Sequence, residues 1–492
     1  MTSTLAALYR SSLALATDLY QLTMAYGYWK AGVHEREAVF HLTFRKEPFA
    51  GGYAIAAGTG LAVDYLRELS FDASDCAYLS TLRGSDDAPL FPTAFLDYLA
   101  GLRFTGTVDV VPEGAAVFAH EPLLRVRAPI IQAQLVETPL LALVNFSTLI
   151  ATKASRVVAA AAGEPVIEMG QRRAQGLDGA LTAARAAWIG GVTATSNVLA
   201  GKLHGIPVRG THAHSWVMFW GDDERAFRAY ADAVPGATTF LVDTFDTEAG
   251  VAAAIRVGHE LRAAGHSLGG VRLDSGDLAH LSIHARAALD AAGFPDTRVV
   301  ASNDLDEHLI ASLRGQGARI DTWGVGTKLI TAHDQPALGG VYKLGAVREP
   351  DGAWRYPIKL SEQPIKISTP GIAGVRRLWR GDQLVGDVIY DAVAGPTTPR
   401  CGHDLGDPMR QLALVGDREE ELLVPALVDG APVGDPGDLT AARARCARDL
   451  AALSPRTRRT HNPQPYPVAL DPVLHQRKLT LIAAARAQGG AA

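Results

Sequence analysis

Cysteine is nearly absent from this chain. Cys76, Cys401 and Cys446 are the only three in 492 residues; they lie far apart and form no CxxC pair. That excludes a disulfide framework and a thiolate zinc cage, and it predicts a reducing, cytoplasmic setting. Lysine is scarce as well, with nine residues, so arginine carries most of the positive charge. The net charge of −5 is small for this length and argues against a general nucleic-acid binder. No stretch reaches the ~18–20 uninterrupted apolar residues of a membrane span. Met1–Leu15 has one positive charge, Arg10, and no long apolar run, so it does not read as a signal peptide. Two nucleotide-binding signatures are also missing: no GxxxxGK[ST], and no GxGxxG after a strand with an acid placed for a ribose.

What is present is length and a repeated pattern. The chain is too long for one ordinary domain, and its 48% hydrophobic content supports a large core. Between Val166 and Lys328, short apolar runs end in polar clusters and lead into helix-like stretches. The runs are 166–170, 193–197, 207–211, 240–244, 271–275, 299–303 and 323–327. Alternating strands and helices predict an α/β fold with a parallel sheet. The spacing predicts an irregular, TIM-like βα barrel over 141–345, whose strand tips converge on one face.

Around it, 1–140 reads as an N-terminal α/β domain containing a small β module, with β-like runs at 107–111, 116–118, 123–127 and 130–136. Leu140–Ala162 reads as one long helix entering the barrel. Residues 346–492 read as a β-containing segment followed by a helical C-terminal extension, with helices over 438–452 and 472–487.

The polar ends of the runs carry the chemistry. In Gly210-Thr211-His212-Ala213-His214-Ser215, a histidine at a strand tip can accept a proton or a phosphoryl group, or serve as a hydrogen-bonded structural ring. No nearby carboxylate completes a metal set for the two histidines. In Gly324-Val325-Gly326-Thr327-Lys328, two glycines admit backbone N–H groups to an anion and Thr327 adds a hydroxyl; Lys328 either pairs with phosphate or caps a helix. Arg272 and Asp274 share one face of a strand, as a structural ion pair or as ligands for a carboxylate and a sugar. Glu168, Arg172, Arg173, Asp243 and Asn303 stand at other tips. Together they suit a phosphorylated substrate and a carboxylate-bearing one.

These motifs resemble the nicotinate phosphoribosyltransferase family. The resemblance is carried, in order, by Thr17 to Met24, Glu168 to Gly176, Gly210 to Ser215, Val271 to Leu278, and Gly324 to Thr327 followed by Gly339 to Leu344. It runs from residue 17 to about 467. It implies an enzyme of NAD biosynthesis that joins nicotinate to 5-phosphoribosyl 1-pyrophosphate, with Mg²⁺, and couples this to ATP hydrolysis through a phosphohistidine. The matching histidine is His214; the residue two before it, commonly apolar in the family, is here His212. Tyr20, Thr211 and Arg272 match positions that bind nicotinate, and Thr327 a position on the phosphoribosyl side. A head-to-tail homodimer is implied, with the Tyr20 segment reaching the neighbour's barrel. The rival readings are a nicotinamide-using transferase, a Schiff-base aldolase using Lys328, and a non-catalytic barrel.

Overall fold

A computed structural model of the chain describes residues 12–363, 367–398, 400–405, 407 and 409–489. Most of Met1–Leu15 therefore lies outside the described residues. The chain folds as two compact units, one formed by Leu149–Pro336 and one by Met1–Thr148 with Ala337–Ala492.

The Leu149–Pro336 unit carries the repeated pattern. Six strands, Val166–Glu168, Ala194–Thr195, Thr239–Leu241, Gly270–Leu273, Arg298–Ala301 and Thr322–Val325, form one sheet. Every pairing in it is parallel. Three of the runs lead into a helix capped by an aspartate. Asp246, Asp277 and Asp306 each accept backbone N–H groups at the start of the helices Thr247–Ala263, Leu278–Ala291 and Glu307–Gly315.

The parallel α/β expectation holds; the closed barrel does not. The sheet runs from Ala194–Thr195 through Val166–Glu168, Thr322–Val325, Arg298–Ala301 and Gly270–Leu273 to Thr239–Leu241, and no ladder joins its two edges among the described residues. The 207–211 run contributes a single bridge, Val208 to Thr195, rather than a strand. Pro207 offers no N–H, and the segment runs on into Gly210. At the other edge, the Leu241 N–H donates to the His212 ring nitrogen Nε2 at 3.2 Å. A side chain thus takes the place of a strand.

Glu137–Ala161 is one helix long and apolar enough to cross a membrane by length and composition, but it behaves as a core helix, 67% buried in its most apolar window. Lys153 and Arg156 on it are buried and pair with Glu307, at 2.6 and 2.8 Å.

In the other unit, Gly340–Arg348 pairs antiparallel with Glu37–Phe44, inside a seven-stranded sheet. This pairing joins the C-terminal part of the chain to the N-terminal part. The 130–136 run is not a strand: Ile130–Leu135 is a helix. Pro129 ends the preceding strand with φ −48° and has no N–H to continue it, and all six helical residues are buried, which hides any periodicity. The C-terminal region has the helices Leu439–Ala452 and Pro472–Gly489. It also has strands at Cys401–Asp404, Gln411–Ala413, Arg418–Glu421, Val424–Val428 and Val468–Leu470, which a purely helical reading of that stretch misses.

Candidate active site

The histidine loop sorts its own side chains. From Thr211 to His214 the backbone leaves the sheet edge and enters the helix His214–Trp220. His212 turns inward. Its ring packs against Phe227, Tyr230 and Phe240, and it is 7% exposed. Burial pushes its pKa down to about 4, so the ring is held neutral. His214 faces the other way, half-exposed, with Nδ1 3.2 Å from Thr244 Oγ1 and Nε2 3.6 Å from Asp274 Oδ2. The two rings do not converge on a common metal. Among the described residues no group of three or more His, Cys, Asp or Glu side chains is placed to hold one.

Arg272 is the centre of the next layer. Its Nε donates to Ser302 Oγ at 2.8 Å, one terminal nitrogen to Thr211 Oγ1 at 2.9 Å, and the other to Asp274 Oδ1 at 2.8 Å. Ser302 Oγ also donates to Asp274 Oδ1. Burial alone would raise the Asp274 pKa. The Ser302 hydroxyl and the Arg272 guanidinium outweigh it and hold the carboxyl below its usual value. Asp243 Oδ2 accepts from the Asp274 N–H at 2.9 Å and from Ser275 Oγ at 2.6 Å, while its buried Oδ1 has no partner among the described residues.

The glycine turn lies alongside. A Cβ on Gly324 would sit 2.9 Å from Met169 Sδ and 3.4 Å from Ser302 Cβ, so this strand end passes close to the Arg272 cluster. A Cβ on Gly170 would strike Ile330 Cβ at 2.6 Å, which seats the first tip against the turn that starts at Thr327. Arg172 and Arg173 follow on an exposed single turn, Gln171–Arg173. Asn303 is exposed beside Ser302, with φ 119°, a left-handed backbone uncommon for a residue with a Cβ.

Two sequence candidates fall elsewhere. Glu168 is fully buried, accepting from Thr195 Oγ1 at 2.6 Å and from the Gly170 N–H. It shapes the first loop rather than offering charge to a ligand. Tyr20, on the helix Leu19–Lys30, is 49% exposed and belongs to the other unit.

Lys328 is also resolved by geometry. Its ammonium pairs with Asp306 Oδ2 at 2.6 Å, and this bond raises its pKa. A Schiff-base nucleophile needs the opposite shift, which argues against the aldolase reading.

Comparisons with known proteins show the family. Two family models match: the nicotinate phosphoribosyltransferase (NAPRTase) N-terminal domain over residues 15–145, and the nicotinate phosphoribosyltransferase C-terminal domain over residues 376–478. The chain is 52% identical over 368 residues to the nicotinate phosphoribosyltransferase of Bacillus subtilis, covering 75% of this chain and 73% of that one. The chain belongs to the nicotinate phosphoribosyltransferase family. A relative from Mycobacterium tuberculosis is 40% identical, with 93% of this chain and 91% of that one covered. The crystal structure of human nicotinic acid phosphoribosyltransferase superposes with a TM-score of 0.81 at 32% identity, covering 94% of this chain and 99% of that one. A nicotinate-nucleotide pyrophosphorylase from Pyrococcus furiosus shares the fold, with a TM-score of 0.69 at 19% identity over 90% of this chain and 98% of that one.

Sequence reasoning missed Ser302 and Thr244, and both were within reach of it. Each lies inside a recognised run, 299–303 and 240–244, without being singled out there, and each is a hydroxyl. It also missed a small cavity in the Met1–Thr148/Ala337–Ala492 unit, about 70 Å³, lined by His41, Thr43, Arg45, His120, Lys343 and Ser368 among others and, among the described residues, by no carboxylate. Four of its residues, His41, Thr43, Val341 and Lys343, come from two paired strands whose register sets His41 opposite Lys343. Pairing across 300 residues is invisible in a single sequence.

Proposed function

We propose that this chain joins nicotinate to 5-phosphoribosyl 1-pyrophosphate, giving nicotinate mononucleotide and pyrophosphate for NAD biosynthesis, with ATP as co-substrate and His214 as the phosphohistidine. The observation that carries the reading is Arg272. It is tethered through all three nitrogens and keeps two N–H donors, one on each terminal nitrogen, for a carboxylate. A neutral amide needs no such cation.

In the transfer, the lone pair of the pyridine nitrogen forms the bond to ribose C1. The C1–O bond breaks and its electron pair leaves with pyrophosphate. Thr211 and Arg272 hold the carboxylate end of the ring. The turn Gly324–Thr327 suits the phosphoribosyl side, with Arg172, Arg173 and Asn303 as further contacts. In the coupled half-reaction an imidazole nitrogen of His214 takes the γ-phosphoryl group as the bond to ADP breaks, and water later hydrolyses the phosphoramidate. Asp274, kept ionised, steadies the ring and the charge that develops beside it.

Magnesium fits as a companion of pyrophosphate rather than as a caged ion. Mg²⁺ keeps several waters and takes one or two carboxylates plus phosphates, and Asp243 supplies one oxygen that has no partner among the described residues. Bound there, the ion would supply charge to the leaving group. Arg172 and Arg173, exposed on the turn after the first strand, supply anion contacts of the protein's own.

A homodimer belongs to the same proposal. Leu177, Val198, Leu203, Met218, Phe219 and Phe245 are exposed apolar side chains on the segments that follow the strand ends. A second copy bringing Tyr20 to stack on the pyridine ring would cover side chains of this kind.

Pyrophosphate release assayed with nicotinate, the phosphoribosyl donor and ATP tests the proposal. Release that needs nicotinate and is stimulated by ATP is expected. Equal or better use of nicotinamide at the same concentration contradicts it.

A further inference from the structure

We propose that Ser302 is a positioning residue for the pyridine substrate: one hydroxyl that sets the Arg272 guanidinium against the Asp274 carboxylate and thereby sharpens the choice of a carboxylate-bearing ring over its amide. The proposal rests on the reading of Arg272 as the nicotinate contact.

The partners set the directions at Ser302 Oγ. A guanidinium has no acceptor and an ionised carboxylate has no hydrogen. The Oγ must therefore accept from Arg272 Nε, at 2.8 Å; its hydrogen goes to Asp274 Oδ1, a far shorter contact than the 3.5 Å to Leu273 O. Few rotameric choices satisfy both at once.

The backbone places Ser302 for this task. It follows the strand Arg298–Ala301, which pairs in parallel with Gly270–Leu273, Val300 opposite Arg272 and Ala301 opposite Leu273. The Ser302 N–H then donates to Leu273 O at 2.8 Å, bringing the hydroxyl beside the Arg272 and Asp274 side chains. The residue is 4% exposed, and its Cβ faces Gly324 across a gap that a Cβ there would close to 3.4 Å. It has little room to move.

The hydroxyl matters because the tethers on Arg272 are of different kinds. Thr211 and Asp274 each hold a terminal nitrogen, so the guanidinium can still tilt about the line between them. The bond at Nε removes that freedom and fixes the plane in which the two remaining N–H groups meet a carboxylate. Without it the charge stays but its aim is lost. Charge alone serves nicotinate and nicotinamide less differently than an aimed pair of donors does.

The test uses the full-length protein and three variants. Ser302→Ala is expected to raise the KM for nicotinate about tenfold, the scale of one charge-assisted bond, and to change kcat and the donor KM less than threefold. The ratio of kcat/KM for nicotinate over nicotinamide should fall about tenfold. Ser302→Thr keeps the hydroxyl and should return that ratio to within about threefold of the original. In an Arg272→Ala background, Ser302→Ala should add no further penalty on nicotinate, because its route of action is gone. An unchanged nicotinate KM and base ratio in Ser302→Ala overturns the proposal. So does the same penalty in both backgrounds, or a folded Ser302→Thr enzyme as indiscriminate as Ser302→Ala. These outcomes are separate from failure of the functional reading, which would appear as absence of nicotinate-dependent pyrophosphate release in the unsubstituted protein.

Discussion

Asp274 faces His214 with one carboxylate oxygen while Arg272 and Ser302 occupy the other. Oδ2 stands 3.6 Å from His214 Nε2, and Oδ1 accepts from Arg272 at 2.8 Å. One carboxylate therefore lies beside both the group proposed to select the base and the ring proposed to carry the phosphoryl group. Asp274→Asn keeps the shape and removes the charge. It is expected to lower steady-state phosphorylation of His214 and ATP-stimulated turnover at least tenfold, since the scale of one lost charged contact is roughly 1.5–3 kcal/mol. Rapid-quench labelling with γ-labelled ATP measures the first effect; undiminished labelling would contradict it.

Arg272→Ala should weaken nicotinate use by roughly ten- to a hundredfold in KM, with a modest change for the phosphoribosyl donor. Initial-rate kinetics with each substrate varied in turn separate the two. Unchanged nicotinate affinity removes Arg272 from the site.

Acid should destabilise the protein through its buried histidines. Burial holds His41 at about 3 and His120 and His212 at about 4, below the ordinary 6.5. Above pH 6.5 these rings are neutral both folded and unfolded, and stability is whole. As pH falls from 6.5 toward 4 the unfolded chain takes up protons that the folded one refuses. Stability should then drop by up to about 1.4 kcal/mol per pH unit for each ring. Denaturant melts at pH 7, 6, 5 and 4.5 follow this, and His212→Asn should flatten the slope by about one proton. A slope unaltered by that change contradicts the burial argument.

The buried ion pairs of Lys153 make a stability prediction. Lys153 and Glu307 are both fully buried and meet at 2.6 Å, and Lys153 also reaches Asp334. Lys153→Met leaves a buried carboxylate short of a partner and should cost about 3–5 kcal/mol. Chemical denaturation reads this directly; a change under about 1 kcal/mol would show that water or neighbours already balance Glu307.

Much of this site could be read from the sequence because strand ends announce themselves. An apolar run that stops in Thr, Asp, Arg or Gly marks a tip whatever the sheet's final closure. All seven runs were visible, and six became strands. What the pattern cannot carry is the direction in which a loop side chain turns. His212 and His214 look equivalent as letters. Only the apolar cluster of Phe227, Tyr230 and Phe240, assembled from segments up to 28 residues away in sequence, takes one and leaves the other. Glu168 looked like a cavity charge for the same reason, until Thr195 from the adjacent strand claimed it. The barrel expectation failed at one place, where Pro207 and Gly210 interrupt a run that otherwise reads as a strand. Local letters report strand existence well and ring closure poorly, because closure depends on pairing between the first and last edges.

The central claim is that His214, and not His212, carries the phosphoryl group. Incubation with γ-labelled ATP, followed by acid and alkali treatment of the denatured protein, tests it most directly. The account predicts an acid-labile, alkali-stable label that disappears in His214→Ala and persists in His212→Asn. A label that survives His214→Ala and is lost in His212→Asn would contradict it.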